Sequence, residues 1–250
     1  MALVLSAALY ALGAWAAALA LLALLDRLPH PALAWAFSGA SLLLIAGLVG
    51  LAIARDADGP AGAQAAFTCG LAAWVWQETA GAAHARARRR SRPTARASAA
   101  QELAWLVVVI GALALTWGGT NLAARWTVPA LWGLHLSMRI NALCAAHVGG
   151  GPLMRPPWFA TGLPAAQLLS AVFPLTVTGL TAAATLAVDA ALAPGLAAGE
   201  ATGLALLGGS LAVGAARHWG TVVQLPALRT PYRALRVKPR SDVQEAGAQL

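Results

Sequence analysis

Most residues that could do chemistry in this chain lie near one end of long apolar segments. They are Gln77, Glu78, Gln101, Glu102, His135, Arg139, Asn141 and His218. His135 and Arg139 are four residues apart and would share one face of a helix. Carboxylates beside imidazoles can bind a metal ion, and a neutral imidazole can ligate the magnesium of a pigment. The same groups can also pair with an arginine and serve only the fold.

The composition indicates which kind of element holds these residues. The chain has 250 residues, of which 59% are apolar and 10% charged, and its mean hydropathy is +0.68. A soluble domain carries roughly 25% charged residues, which argues against a water-exposed globule. Cys69 and Cys144 have no CxxC spacing and fit small buried hydrophobic positions. We therefore predict an all-α fold, a polytopic membrane protein.

Seven apolar runs are long enough to be transmembrane helices. Such a helix needs about 20 residues, because each residue adds about 1.5 Å across a hydrocarbon core of about 30 Å. The predicted spans are 2–25, 32–54, 61–82, 100–117, 122–146, 164–191 and 198–216. This divides the chain into a seven-helix transmembrane domain over 1–216 and a basic C-terminal tail over 217–250.

Positive charge is distributed unevenly over the connections. The connections after spans one, three and five share one side with the tail, and together they hold 14 cations, including six arginines between Arg86 and Arg96. The opposite side has only Arg55 and Arg125. Because cytoplasmic loops are enriched in Lys and Arg, we predict an outside N-terminus and a cytoplasmic C-terminus. The net charge of +8 then indicates orientation and contact with anionic lipid, and no nucleic-acid partner.

This topology places the polar residues together in the cytoplasmic leaflet, where two interpretations compete. Glu78 and Glu102 either compensate Arg139 as a structural ion pair or belong to a ligand site. The Glu-x-x-His spacing of di-iron bundles is absent, as are the common catalytic motifs, so we predict no catalytic residue and no metal site. His135, with Trp132 one turn earlier, is a candidate pigment-binding position, and His218 is another. Aromatic belts at the interface account for most of the other tryptophans, including Trp74 and Trp105.

Several short motifs occur in an order that resembles a known family. They are Leu25-Asp26-Arg27-Leu28-Pro29, Phe67-Thr68-Cys69, Trp74-Val75-Trp76-Gln77-Glu78, Glu102-Leu103-Ala104, Leu115-Thr116-Trp117-Gly118-Gly119-Thr120-Asn121, Leu136-Ser137-Met138-Arg139-Ile140-Asn141, Phe173-Pro174-Leu175-Thr176-Val177-Thr178 and His218-Trp219. Over roughly residues 1 to 220, the chain resembles the photosynthetic complex assembly protein 2 family. Members of that family are multi-pass proteins encoded beside reaction-centre genes of phototrophic bacteria.

The chain departs from the family pattern at two places. The family has a histidine before each glutamate, where this chain has Gln77 and Gln101. An amide is a weak ligand, so a metal-binding or pigment-binding capacity of those pairs would be lost. The connection Gly149–Pro157 is also shorter than in the family. A member with these changes could keep the scaffold and lose a chemical step, which favours a structural role.

The resemblance implies a non-enzymatic assembly factor or scaffold for the photosynthetic reaction centre and light-harvesting complex. It would act through helix contacts in the bacterial inner membrane. Its partners would be membrane lipid and the reaction-centre and light-harvesting polypeptides, and bacteriochlorophyll or carotenoid are the cofactors it could hold. The expected scaffold or docking positions are Thr116, Trp117, Gly118, Gly119, Thr120, Asn121, Arg139, Asn141, Glu78 and Glu102. Three alternatives stay open: a permanent pigment-associated subunit of the reaction-centre complex, an intramembrane enzyme of pigment or lipid metabolism, and a transporter.

Overall fold

The computed structural model describes the backbone of residues 1–25, 27–88, 95–148 and 165–235, and the side chains of these ranges except 30–31, 84–99, 142–173 and 220–235. Seven α-helices account for nearly all of the described backbone, which contains no strand. The helices are α1 (Ala2–Leu25), α2 (His30–Ala54), α3 (Pro60–Arg88), α4 (Ala95–Thr116), α5 (Leu122–Val148), α6 (Ala165–Ala191) and α7 (Ala198–Leu235). The prediction of an all-α chain with seven helices is therefore confirmed. Helix α7 continues to Leu235, into the segment that the sequence predicts to be a tail.

Contacts between helices fix their relative directions. Gly70 of α3 packs against Thr127 of α5, and eight residues further along both helices Glu78 faces His135, so α3 and α5 are parallel. Helix α7 is parallel to α5 as well, because its residues 203 and 214 pack against residues 123 and 134. Helix α2 runs the other way, since its residues 41 and 50 contact residues 76 and 69 of α3. The bundle therefore runs up and down, with α3, α5 and α7 in parallel.

Two tryptophans that the sequence assigns to interface belts lie in the core instead. Trp74 is buried in a tilted contact with Trp15 of α1, at 4.6 Å between ring centroids. The guanidinium of Arg217 stacks over the Trp74 ring at 5.5 Å, a cation–π geometry. Trp105 of α4 is fully buried. The belt assignment is wrong for these two side chains, because helices rich in Ala and Gly leave interior volume that only large rings fill.

The helices differ in how well they suit a lipid environment by length and composition. Within the part of the chain that the structure describes, three stretches are long and apolar enough to cross a membrane, namely Ala2–Leu25, Ala32–Ala54 and Pro174–Ala191, and Ala100–Thr116 is apolar but shorter. The central helices α3, α5 and α7 carry polar residues that face one another. These polar residues lower the mean hydropathy of the three helices. Inside a bundle, such residues are satisfied by other helices instead of by water.

The alternation of directions gives the bundle two ends. The end formed by the connections 55–59, 117–121 and 192–197 is called the Asn121 end, and the opposite one the Glu102 end. The connection after α1, with Arg27, lies at the Glu102 end. The Arg86–Arg96 side chains, Arg155, the Gly149–Pro157 connection and the tail beyond Leu235 lie outside the described residues. Arg55 and Arg125 belong to the Asn121 end.

Candidate functional site

The predicted polar residues of α4 and α5 meet at the Glu102 end. Glu102 Oε1 accepts hydrogen bonds from Arg139 Nε at 2.9 Å and from Arg139 Nη2 at 2.5 Å. Its Oε2 lies 3.2 Å from His135 Nε2. His135 and Arg139 reach the same carboxylate because they lie one turn apart on α5. These bonds join α4 to α5 through a charge-assisted pair whose side chains are only 31% and 43% exposed.

His135 lies between two carboxylates. Its Nε2 faces Glu102, and its Nδ1 lies 3.9 Å from Glu78 Oε1 on α3. Both ring nitrogens are therefore directed at anionic groups, and ligation of a pigment magnesium by either one would require breaking or displacing these contacts. Among the described residues, no group of three or more His, Cys, Asp or Glu side chains has an arrangement that could hold a metal ion.

His218 does not join the carboxylates, although the sequence places it at the same level. Its Nδ1 lies 2.7 Å from the Gly214 carbonyl oxygen, which can only accept, so Nδ1 carries a proton. Its Nε2 lies 2.9 Å from the hydroxyl of Ser137 on α5. His218 is thus a buried joint between α7 and α5. Ser137 was not singled out from the sequence, although its place between Leu136 and Arg139 in a motif was a usable signal.

Two further predicted positions have structural partners away from the carboxylates. Asn141 Nδ2 donates to Thr176 Oγ1 at 3.0 Å, which links α5 to α6. Trp132 is partly buried and packs against the hydrophobic core. Thr176 belongs to the motif that runs from Phe173 to Thr178. Its pairing with Asn141 depends on the rotation of α6 about its own axis. The polar residues of α5 therefore join α4, α6 and α7.

The two glutamines that precede the carboxylates are buried. Gln77 is 1% exposed, and neither its Nε2 nor its Oε1 has a hydrogen-bond partner in the described structure. Gln101 is 9% exposed, and its Nε2 lies beside Gly81 of α3. Trp105, one turn beyond Gln101, has a buried Nε1 without a partner. An unpaired buried polar group destabilises the folded state, and most buried polar atoms in proteins have a hydrogen-bond partner.

The family-motif turn at the Asn121 end is built around one amide. Asn121 Oδ1 accepts from the backbone N–H groups of Ala123 and Ala124, at 3.1 and 3.3 Å, and so caps the N-terminus of α5. Its Nδ2 donates to the Ala54 carbonyl at 2.9 Å, and its backbone N–H donates to the Arg55 carbonyl at 2.9 Å. A single buried residue thus caps α5 and ties it to the end of α2.

The rest of this turn closes the same joint. Gly118 has φ +78°, a left-handed conformation that favours glycine. A Cβ on Gly119 would lie 2.5 Å from the Arg55 carbonyl oxygen, so the close approach of the two connections requires glycine. Thr120 Oγ1 donates to Asp58, and Arg125 donates to the Gly119 carbonyl. Thr116 bonds within its own helix, and Trp117 is exposed.

The chain was compared with known proteins. Residues 1–237 match a family described as Protein of unknown function (DUF3623). The chain belongs to this family. Searches of curated proteins and of solved structures gave no match. The DUF3623 match covers every residue of the polar cluster and of the Asn121 turn.

Proposed function

We propose that the protein is a non-enzymatic assembly factor or scaffold for the photosynthetic reaction centre and light-harvesting complex of a bacterial inner membrane. It acts by binding transmembrane helices of those complexes, and no bond is made or broken. The photosynthetic assignment comes from the family resemblance of the quoted motifs. The contacts of the motif residues support the helix-binding mechanism.

One observation carries the scaffold interpretation: the polar residues of the motifs are engaged with one another across helices. Glu102 and Arg139 join α4 to α5, Asn141 joins α5 to α6, and Asn121 joins α2 to α5. A general acid or base must lie within hydrogen-bond reach of a substrate, whereas these side chains bond to neighbouring helices of the bundle. Motifs whose side chains are used as interhelical joints specify the shape of a bundle, as a scaffold requires.

A groove on the lipid-facing side supports helix binding. It has a volume of about 700 Å³ and lies between α1 and α6, with Gly208, Gly209 and Ala212 of α7 as its floor. A second cavity of about 670 Å³ shares Thr181, Thr185 and Trp219 with it. Small residues allow helix backbones to approach closely within a membrane, where packing drives association. The groove therefore offers a surface on which a partner helix can pack.

Filling the groove should weaken partner binding. Ala212→Leu places a branched side chain in the floor, and we expect the reaction-centre and antenna polypeptides that copurify from a phototrophic membrane to fall by about fivefold or more, since a blocked packing contact is worth about 1 kcal/mol. The matched control is Ala46→Leu, the same change at an exposed position of α2. Equal copurification with the wild type and both variants would contradict the groove as the contact surface.

The assembly role itself is tested by deleting the gene in a phototrophic host. We expect the near-infrared bands of the reaction centre and antenna to fall, and the wild-type gene to restore them. Unchanged bands, or a pull-down that recovers no reaction-centre or antenna polypeptide, would count against the proposal. Stoichiometric recovery with the mature complex would instead indicate a permanent subunit.

The proposed topology has seven transmembrane helices, with the N-terminus outside and the C-terminus cytoplasmic. It is supported by the alternating helix directions and by the 14 cations that the sequence places at the Glu102 end or in the tail. A fluorescent protein fused to the C-terminus should be fluorescent, and alkaline phosphatase fused at the same position should be inactive, because that enzyme requires an oxidising compartment for its disulfides. Phosphatase activity in the C-terminal fusion would show that the C-terminus lies outside the cytoplasm, contrary to the proposed topology.

Bacteriochlorophyll does not fit as a ligand of the two imidazoles in this arrangement. Both nitrogens of His135 face carboxylates, and those of His218 face Gly214 and Ser137. The proposed mechanism therefore includes no step through a pigment bound to either histidine.

A further inference from the structure

The register of α3 against α4 places Gln77 and Trp105 at one level of the bundle. Gln101 of α4 lies against Gly81 of α3, and these two helices are sequence neighbours that run in opposite directions. One turn from this contact, on the same faces, lie Gln77 on α3 and Trp105 on α4. This register forms a seam of polar side chains between α3 and α4, in which Gln77 directly precedes Glu78 and Gln101 directly precedes Glu102.

The seam contains three buried polar atoms without partners in the described structure. They are Gln77 Nε2, Gln77 Oε1 and Trp105 Nε1. Both residues are at least 99% buried. Gln77 Nε2 and Trp105 Nε1 are N–H donors, and only Gln77 Oε1 is an acceptor. The molecule that satisfies these atoms must therefore present an oxygen that accepts hydrogen bonds.

The neighbouring charges select a neutral group. Glu78 and Glu102 lie next to the seam on α3 and α4, and among the described side chains Glu102 has a close arginine partner whereas Glu78 has none. The contact of Glu78 with His135 is 3.9 Å long. The local charge therefore disfavours an anion such as a phosphate or carboxylate. A neutral oxygen acceptor avoids this repulsion.

We propose that Gln77 and Trp105 form a binding site for a neutral oxygen acceptor within the α3–α4 interface, with Gln77 Nε2–H and Trp105 Nε1–H as its donors. Two sources have this chemistry: a single internal water, or the carbonyl group of a membrane-soluble organic molecule. Buried waters commonly satisfy polar groups that lack a protein partner. The site lies beyond the helix-binding role proposed above and does not depend on it.

The indole N–H signal of Trp105 tests the site in the full-length protein. With ¹⁵N-labelled tryptophan in lipid nanodiscs, Trp105 is assigned by its loss in Trp105→Phe. If water is the ligand, the Trp105 indole proton should show a cross-peak to water. Trp15 is the matched control, because it is also buried but donates to Ser210 Oγ at 3.1 Å. The Trp15 indole should show no water cross-peak.

A carbonyl ligand gives a different set of results. The Trp105 indole signal would lie in the hydrogen-bonded range without a water cross-peak, and an organic extract would contain about one carbonyl compound per chain. In either case Gln77→Leu should abolish the bound-state signal of Trp105, while Gln64→Leu on the same helix should leave it unchanged. Gln77→Met provides a second apolar variant of similar length.

Three outcomes would overturn the proposal. One is a Trp105 signal typical of a free indole N–H, with neither a water cross-peak nor an extracted compound. A second is a Trp105 signal that Gln77→Leu and Gln77→Met leave unchanged. The third is a water cross-peak of equal strength at Trp15, which would indicate general water penetration of the bundle.

Discussion

Replacing Asn121 by alanine is expected to lower the free energy of unfolding by about 2 kcal/mol. The N-terminal cap of α5 is lost, which costs about 1 kcal/mol. The Ala54 carbonyl also loses one of its two donors, since the Ala57 N–H still donates to it at 3.1 Å, and the loss of one such hydrogen bond adds about 0.5–1.5 kcal/mol. The intrinsic fluorescence of the ten tryptophans during thermal unfolding in detergent provides the measurement.

Two control variants separate the contributions of Asn121. Asn121→Asp keeps an oxygen that can cap α5 but replaces the donor to Ala54 by a second acceptor, so it should keep the cap and lose the link to α2. Trp117→Ala changes an exposed residue of the same turn and should leave the melting temperature nearly unchanged. If Asn121→Ala melts like the wild type, the turn does not hold α2 against α5 in the way described.

Replacing Glu102 by leucine should destabilise the bundle by about 2 kcal/mol. The change leaves the Arg139 guanidinium without its carboxylate and removes the partner of His135 Nε2. Breaking a fully buried pair costs about 3–5 kcal/mol and breaking an exposed one about 0–1 kcal/mol. The Glu102–Arg139 pair is partly exposed, so the free-energy cost of breaking it lies between these limits. Thermal unfolding at constant pH is again the measurement.

The double variant Glu102→Leu with Arg139→Leu tests whether the lost stability of Glu102→Leu comes from the unpaired Arg139 charge. It removes both charges, so most of the lost stability should return, because an apolar pair can replace a partly buried ion pair. Glu78→Leu is the matched single change on α3, and it should cost less, since among the described residues the closest partner of Glu78 is the His135 ring at 3.9 Å. A double variant no more stable than Glu102→Leu would show that the two charges do not act as a pair.

The sequence determined the number of helices and the approximate level of each polar residue. Seven apolar runs separated by polar or Gly- and Pro-containing connections predict seven helices, and each of the seven predicted segments has at least one end within two residues of an observed helix end. Because each residue rises about 1.5 Å, counting from the helix ends places Glu78, Glu102, His135 and Arg139 at one level. The structure brings these four side chains together as the counting indicates.

Only the tertiary structure decided which side chains meet at that level. His218 contacts Ser137 instead of a carboxylate, Asn141 contacts Thr176, and the amide of Gln77 is buried without a partner among the described residues. These choices depend on the rotation of each helix about its own axis. The polar residues of α5 are directed at three different helices and do not form one polar stripe, so the sequence alone does not fix which helix each of them faces. The rotation is set by packing, through close approaches such as Gly70 on Thr127 and the ring contact of Trp15 with Trp74.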